Sequence, residues 1–166
     1  MTKIEYYLGV AKSIAAGSPC VRRKFGALIV KNNAIVGSGY NGSASSTLNC
    51  GSEIPCIKDV ADEPANVSYN YCPAIHAEQN AIINSNPDER YAATMYLAPA
   101  SSGDGDRPCF LCRRHLMNSG LLDIYFYDKD GEIQHEFISE YIYMENDWMI
   151  DQLDKVNPNW KEDLMK

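Results

Sequence analysis

The chain has 166 residues, of which 45% are hydrophobic, and a net charge of −7. This length suits one domain over residues 1–166, and no apolar run reaches the ~18 residues that a membrane span needs. The acidic balance argues against duplex nucleic acid and fits a small anionic ligand held by a few cations. Six cysteines without a signal-peptide pattern at the N-terminus predict a cytoplasmic protein with reduced or metal-bound thiols.

The first half of the chain predicts a helix followed by a hairpin. Apolar residues at helical spacing predict a helix over residues 3–16, which the Gly17-Ser18-Pro19 stretch ends. A buried-strand run at 25–30 and a return strand at 34–40 flank the turn at 31–33. A loop of about 42–75 with three cysteines follows, and a loop of this length is normally functional or tied down.

The second half alternates helices and strands. The predicted elements are a helix at 76–85, a strand at 92–97, a flexible loop at 101–106, a helix from Pro108 to about 119, strands at 122–127 and 132–137, and a helix at 145–153. This order predicts a three-layer α/β/α sandwich around a mixed five-stranded sheet. The turn between the last two strands is too short for the dozen or so residues of a parallel crossover, so we expect them to be antiparallel.

Two short motifs carry the chemistry of the chain: His76-Ala77-Glu78 and Pro108-Cys109-Phe110-Leu111-Cys112. The pattern H-x-E followed by P-C-x-x-C is the signature of zinc deaminases. One histidine and two cysteines leave a fourth tetrahedral position open for water, as catalytic zinc sites do. Glu78 is not needed as a ligand and is therefore the predicted proton carrier, or general acid and base. The alternatives are a structural zinc knuckle, which would want a fourth protein ligand, or buried thiols.

Three segments, one of which contains the first motif, make the chain resemble the cytidine deaminase superfamily, and in particular the deoxycytidylate (dCMP) deaminases. The segments are residues 25–30, residues 39–42 and residues 76–82, and the Ser119-Gly120-Leu121 stretch is also similar. The resemblance implies the cytidine deaminase-like fold and the hydrolysis of dCMP to dUMP and ammonia, which supplies dUMP for thymidylate synthesis.

The same resemblance implies binding residues and regulation. Asn41 would hydrogen-bond the sugar, although Asn-Gly is also a common turn pair, and the backbone of Ala77 would help to hold the pyrimidine. Gly42 and Ser43 would belong to a nucleotide and effector region. The family implies homo-oligomers, often hexamers, with dCTP as activator, dTTP as inhibitor and Mg²⁺ accompanying a triphosphate.

The basic segment before the first strand offers charge for a phosphate. Arg22, Arg23 and Lys24 could contribute it, with Lys24 assigned to the substrate and Arg22 to the effector, although a solvated basic segment is an equal alternative. Phe25 could flank the base, although a strand position also suits a core residue.

The remaining cysteines, Cys20, Cys50, Cys56 and Cys72, predict a second, structural zinc site. A metal would stabilise a loop that has little apolar material of its own. Some dCMP deaminases carry a second zinc with cysteines at positions resembling Cys20 and Cys50. The alternatives are separate reduced thiols or a disulfide.

Several other functions remain open at this point. The substrate could be another cytosine nucleotide, such as a modified dCMP, CMP or dCTP, or it could be RNA. A non-catalytic zinc module that senses nucleotides is a further alternative, and the intact Glu78 argues against it because a binding module has no use for that acid.

Overall fold

The structure, a computed structural model, describes residues 1–61 and 71–164. Its strands are β1 (Phe25–Lys31), β2 (Ala34–Tyr40), β3 (Gly42–Ser43), β4 (Ala74–Ile75), β5 (Thr94–Pro99), β6 (Asp123–Tyr127) and β7 (Ile133–Phe137). Its helices are α1 (Lys3–Ala15), α2 (Ile57–Val60), α3 (Ala77–Ile83), α4 (Pro87–Arg90), α5 (Phe110–Ser119), α6 (Glu140–Val156) and α7 (Trp160–Asp163). Part of the predicted cysteine-containing loop, residues 62–70, lies outside the described residues.

Five strands form one mixed sheet in the order β2-β1-β5-β6-β7. Only β5 and β6 pair in parallel, with α5 as the crossover between them, and all other neighbours in this sheet are antiparallel. The predicted mixed sheet and the antiparallel last pair are therefore confirmed. The short strands β3 and β4 form a separate antiparallel ribbon, which brings the two ends of the cysteine-containing loop together.

Helices cover both faces of the sheet, which confirms the three-layer sandwich. Tyr7, Leu8 and Ala11 of α1 pack on one face in a cluster of buried apolar residues with Leu28, Val30, Tyr96 and Ala98. The other face is covered by α3, α5 and α6, whose buried residues include Ala77, Ala81, Leu116 and Tyr141. Burial of these apolar surfaces is the main favourable term in folding.

Two glycines let the helices approach the sheet closely. A Cβ atom on Gly26 of β1 would overlap the carbonyl oxygen of Ala11 and lie 2.5 Å from the backbone nitrogen of Ala15. A Cβ atom on Gly39 of β2 would lie 2.5 Å from the backbone nitrogen of Ala81. Both contacts involve helix backbone, which cannot move aside as a flexible side chain would. The positions of α1 and α3 on the sheet therefore require that residues 26 and 39 have no side chain.

Two of the differences between the predicted boundaries and the structure have a clear physical reason. The last long helix begins at Glu140, five residues before the predicted start, because Tyr141 is 1% exposed and packs into the core. The third strand of the sheet runs over Thr94–Pro99 rather than 92–97, because Ala92 has a φ of 53° and Ala98 and Pro99 pair with β1. Within residues 1–61 and 71–164, no helix is both long and apolar enough to cross a membrane.

We expect Gly26→Ala to destabilise the fold by about 1–3 kcal/mol or more, because overpacking at a backbone contact forces α1 away from β1. Gly9→Ala is the matched control: Gly9 lies on the exposed side of α1, and a Cβ atom there would have nothing within 4 Å. That change should therefore stabilise the helix by up to about 1 kcal/mol. Urea unfolding of both variants measures the difference. Equal stability of the two variants would contradict the close contact.

Candidate active site and metal centre

Two helix N-termini bring the predicted metal ligands together. His76 is the N-cap residue of α3 and Cys109 is the N-cap residue of α5, as the sequence predicts, and Cys112 lies in the first turn of α5. The Nδ1 atom of His76 lies 3.5 Å from Sγ of Cys109 and 3.4 Å from Sγ of Cys112. Residues that are 33 and 36 positions apart in the chain thus form one cluster.

The spacing of these three ligand atoms fits a tetrahedral zinc ion. Zn–N bonds of about 2.0–2.1 Å and Zn–S bonds of about 2.3 Å at tetrahedral angles place nitrogen and sulfur about 3.5 Å apart. The three atoms all lie within 4.8 Å of one another, and within the described part of the chain no other group of three or more such residues is as close. The donor set is that of a catalytic zinc site, with one position left for water.

Only one of the three ligands, Cys109, is held in the deprotonated form that zinc requires. A hydrogen bond from Cys112, together with the neighbouring His76, lowers the pKa of Cys109 to about 3, so Cys109 is a thiolate. The same contact with Cys109 raises the pKa of Cys112, and the hydrogen bond to Cys109 raises the pKa of His76. Because zinc binds thiolates and neutral imidazole, metal binding at this cluster releases protons.

Glu78 lies in the first turn of α3 and is 5% exposed. Burial raises the pKa of its carboxyl group, although the nearby His76 opposes this shift. A carboxyl group with a raised pKa exchanges protons closer to neutral pH than an exposed one does, which is what a general acid and base requires.

A cavity of about 680 Å³ contains this cluster. That volume is in the range of small-molecule sites. Apart from Lys24 and the buried ligand Cys112, its lining includes every residue that the sequence predicts for substrate, effector and metal. The lining residues among these are Cys20, Arg22, Phe25, Asn41, Gly42, Ser43, Cys50, Cys56, Cys72, His76, Ala77, Glu78 and Cys109.

Asn41 also has a structural role that the sequence did not reveal. Its Oδ1 atom accepts a hydrogen bond from the backbone N–H of Phe25 at 2.7 Å, and its Nδ2 donates to the carbonyl of Arg23 at 2.9 Å. Ser18 donates to the backbone carbonyl of Asn41 at 2.6 Å. The amide thereby fixes the segment that leads into β1, while one N–H and one lone pair of its side chain are available to a ligand.

The rim of the cavity carries a cation that the sequence did not single out. Lys129, in the turn between β6 and β7, and Arg23 each lie 3.8 Å from the same carboxylate oxygen of Asp106. Arg22 lies 3.6 Å from Asp59. Because Arg23 and Lys129 are 106 positions apart in the chain, no sequence pattern could join them.

The other four cysteines, Cys20, Cys50, Cys56 and Cys72, line the same cavity as free thiols. A Cβ atom on Gly51 would lie 2.6 Å from the carbonyl oxygen of Pro19, so the chain beside Cys50 packs against the chain beside Cys20. Burial and the neighbouring Cys56 raise the pKa of Cys50. All four cysteines belong to the described residues, and no three of their sulfurs lie within 4.8 Å of one another.

Comparison with known proteins agrees with this site. The family model for the cytidine and deoxycytidylate deaminase zinc-binding region matches residues 1–128. The chain belongs to this family.

Its relatives include proteins named deoxycytidylate deaminase. The one from Mycobacterium phage D29 is 30% identical over 70% of this chain and 88% of the relative, and the human one is 31% identical over 74% and 62%. The chain therefore spans less than two thirds of the human relative. The crystal structure of dCMP deaminase from the cyanophage S-TIM5 in complex with dCMP and dUMP superposes with a TM-score of 0.54 at 26% identity, covering 76% of this chain and 85% of that one.

We expect His76→Ala to lower the zinc content by about one ion per folded chain, because two thiolates without the imidazole leave an incomplete site. His115→Ala is the control, since His115 is an exposed histidine on α5 that belongs to no such group among the described residues. Atomic emission on both purified variants, with circular dichroism to check folding, gives the comparison. Equal zinc in the two variants would exclude His76 as a ligand.

Proposed function

We propose that this protein catalyses the hydrolytic deamination of dCMP to dUMP and ammonia. The observation that carries the proposal is the buried Glu78 beside the cluster of His76, Cys109 and Cys112, in a cavity of nucleotide size with cations at its rim. The relatives named deoxycytidylate deaminase and the cyanophage enzyme in complex with dCMP and dUMP support the choice of substrate.

The chain's own residues divide the chemistry between them. His76, Cys109 and Cys112 would hold zinc, which when bound lowers the pKa of a water molecule to about 7. Glu78 takes a proton from the attacking water and gives it to the ring nitrogen of the cytosine. It then takes the second proton of that water, now on the hydroxyl group at C4, and delivers it to the amine. The C4 carbonyl forms as ammonia leaves, so one water is consumed for each ammonia released.

The other residues of the cavity bind the nucleotide in this proposal. The backbone of Ala77 and the ring of Phe25 hold the pyrimidine. The remaining N–H and lone pair of the Asn41 side-chain amide form hydrogen bonds with the sugar. For the phosphate we propose Arg23 and Lys129, since both line the cavity and, among the described residues, each forms an ion pair with Asp106 alone. A phosphate dianion offers these cations stronger charge-assisted hydrogen bonds than that distant carboxylate.

We also propose a second, structural zinc site at Cys20, Cys50, Cys56 and Cys72. The support is the packing of the chain around Gly51 against Pro19 and the closeness of Cys56 to the Cys50 thiol, whose pKa burial and Cys56 raise. A zinc ion would draw the four sulfurs closer together and would tie the loop to the segment before β1.

Regulation, assembly and location are further parts of the proposal. Arg22, Gly42 and Ser43 lie at the same cavity, where an effector such as dCTP or dTTP would contact them, with Mg²⁺ on its phosphates. The family resemblance favours a homo-oligomer, and a hexamer is the expected form. The protein would act in pyrimidine metabolism in the cytoplasm.

Deamination followed by ultraviolet absorbance tests the function. We expect selective turnover of dCMP over deoxycytidine, CMP and dCTP, because a deoxyribose monophosphate matches both the cavity and its cations. Glu78→Gln should lower kcat for dCMP by at least about 100-fold, since the amide cannot carry protons. The parallel series with dCTP and Mg²⁺ added tests the activator.

Two results would reject the proposal. One is a preference for a different substrate in that panel, and the other is wild-type turnover by Glu78→Gln. Zinc analysis of Glu78→Gln is the control, since a variant that keeps its zinc has lost only the proton carrier.

The second zinc site has its own test. We expect Cys50→Ser to bind one zinc ion fewer per chain than the wild type and to lose thermal stability, because the loop then lacks a ligand. Mass spectrometry under non-denaturing conditions counts the ions directly. An unchanged zinc count would remove the second site without affecting the first.

A further inference from the structure

The segment that carries Cys109 is held from outside by residues of β7 and α6. Arg107 lies two residues before Cys109, and its Nε donates to Oε1 of Glu136 on β7 at 2.7 Å, with Nη2 bonded to the same oxygen. The other oxygen of Glu136 accepts a hydrogen bond from the hydroxyl of Tyr141 on α6 at 2.7 Å. Glu136 therefore joins Arg107 to the first turn of α6.

Arg113 makes two further contacts, which connect Tyr141 to Pro108. The guanidinium of Arg113 lies over the ring of Tyr141, 5.9 Å from its centroid, and its Nη1 donates to the carbonyl of Pro108 at 3.5 Å. Tyr141 thus contacts both of the side chains, Glu136 and Arg113, that fix the residues just before Cys109. Pro108 itself is fully buried.

The network lies in surroundings that make its hydrogen bonds strong. Tyr141 is 1% exposed and the side chain of Glu136 is 13% exposed. Burial and the contact with Glu136 raise the pKa of Tyr141, so its hydroxyl remains a donor. The guanidinium of Arg107 is 42% exposed, so the shielded part of the network is the hydrogen bond from Tyr141 to Glu136. Removing the carboxylate would leave this buried hydroxyl without its acceptor, which is costly away from water.

Glu136 and Tyr141 lie beyond the part of the chain that matches the family, which ends at residue 128. The strand β7 and the helix α6 begin after that point. The contacts of this C-terminal unit therefore add support to a metal ligand that the family region already contains.

We propose that Glu136 and Tyr141 are positioning residues for the metal site: they orient the Arg107-Pro108-Cys109 segment and so set the geometry and affinity of the zinc ligand Cys109. The inference rests on the proposed zinc site and is independent of which nucleotide the protein deaminates. Residues behind a ligand typically change metal affinity by about 10- to 100-fold when they are removed.

The chain supplies a closely matched control. Glu145, also on α6, accepts a hydrogen bond from Nε of Arg114 on α5 at 2.6 Å, and its side chain is 18% exposed against 13% for Glu136. The two arginines are also similarly exposed, at 39% and 42%. The ion pair of Glu145 holds α6, and the ion pair of Glu136 holds β7, the strand before α6. Of the two, only the pair of Glu136 involves the segment just before Cys109.

The experiment measures zinc affinity by chelator competition in a Cys50→Ser background, so that only the site of His76, Cys109 and Cys112 is titrated. We expect Glu136→Gln to weaken zinc binding about 10- to 100-fold and Glu145→Gln to change it less than about twofold. Tyr141→Phe keeps the ring over Arg113, removes only the hydroxyl, and should weaken binding in the same direction. Thermal unfolding of each variant without metal measures the purely structural loss.

The proposal is overturned if Glu136→Gln and Glu145→Gln change zinc affinity equally, or if Glu136→Gln only lowers the unfolding temperature. Should Glu136→Gln fail to fold, unchanged zinc affinity in Tyr141→Phe has the same consequence. Failure of the parent protein to bind zinc at His76 would overturn both this inference and the proposed function. Tight zinc binding without dCMP turnover would overturn the proposed substrate alone.

Discussion

The convergence of one imidazole and two thiols on a single point is the constraint on which this structure depends. The Nδ1 atom of His76 lies 3.4–3.5 Å from two sulfurs, and such separations are reached only if α3 and α5 lie side by side on one face of the sheet. The position of α3 depends on its close contact with β2 at Gly39, and that of α5 on its role as the crossover between two parallel strands. The sheet therefore serves as a rigid template for ligands from two separate helices.

The same arrangement explains why the proton carrier lies next to the metal ligands. Because His76 is the N-cap residue of α3, Glu78 falls within the first turn of this helix and is buried beside the cluster. Burial raises the pKa of its carboxyl group, which suits it to accept and return a proton during one reaction cycle. The cations at the rim, Arg23 and Lys129, stay in contact with water, so they carry no cost of burying an unpaired charge.

The C-terminal unit shows how a fold can be extended without disturbing its site. Strand β7 adds to the sheet beyond β6, and α6 packs on the same face as α3 and α5. The ion pair of Glu136 with Arg107 and the hydroxyl of Tyr141 connect this unit to the segment before Cys109. Strand β7 and helix α6 supply none of the three expected metal ligands, but they contact the segment that leads to one of them, Cys109.

The sequence by itself determined the local features. Hydrophobic periodicity located the five strands of the sheet and the helices that begin at His76 and after Pro108, and the short turn after β6 required an antiparallel last pair. The motif spacing made Cys109 and Cys112 neighbours, because residues three apart on one helical turn lie on the same side whatever the rest of the chain does. The H-x-E pattern singled out His76 as the third expected ligand. Only the tertiary structure decided which distant residues meet. Arg23 and Lys129 share Asp106, Asn41 supports the start of β1, and Tyr141 is buried beneath Arg113, and these contacts arise from packing of elements far apart in the chain, which leaves no periodic signal in the sequence.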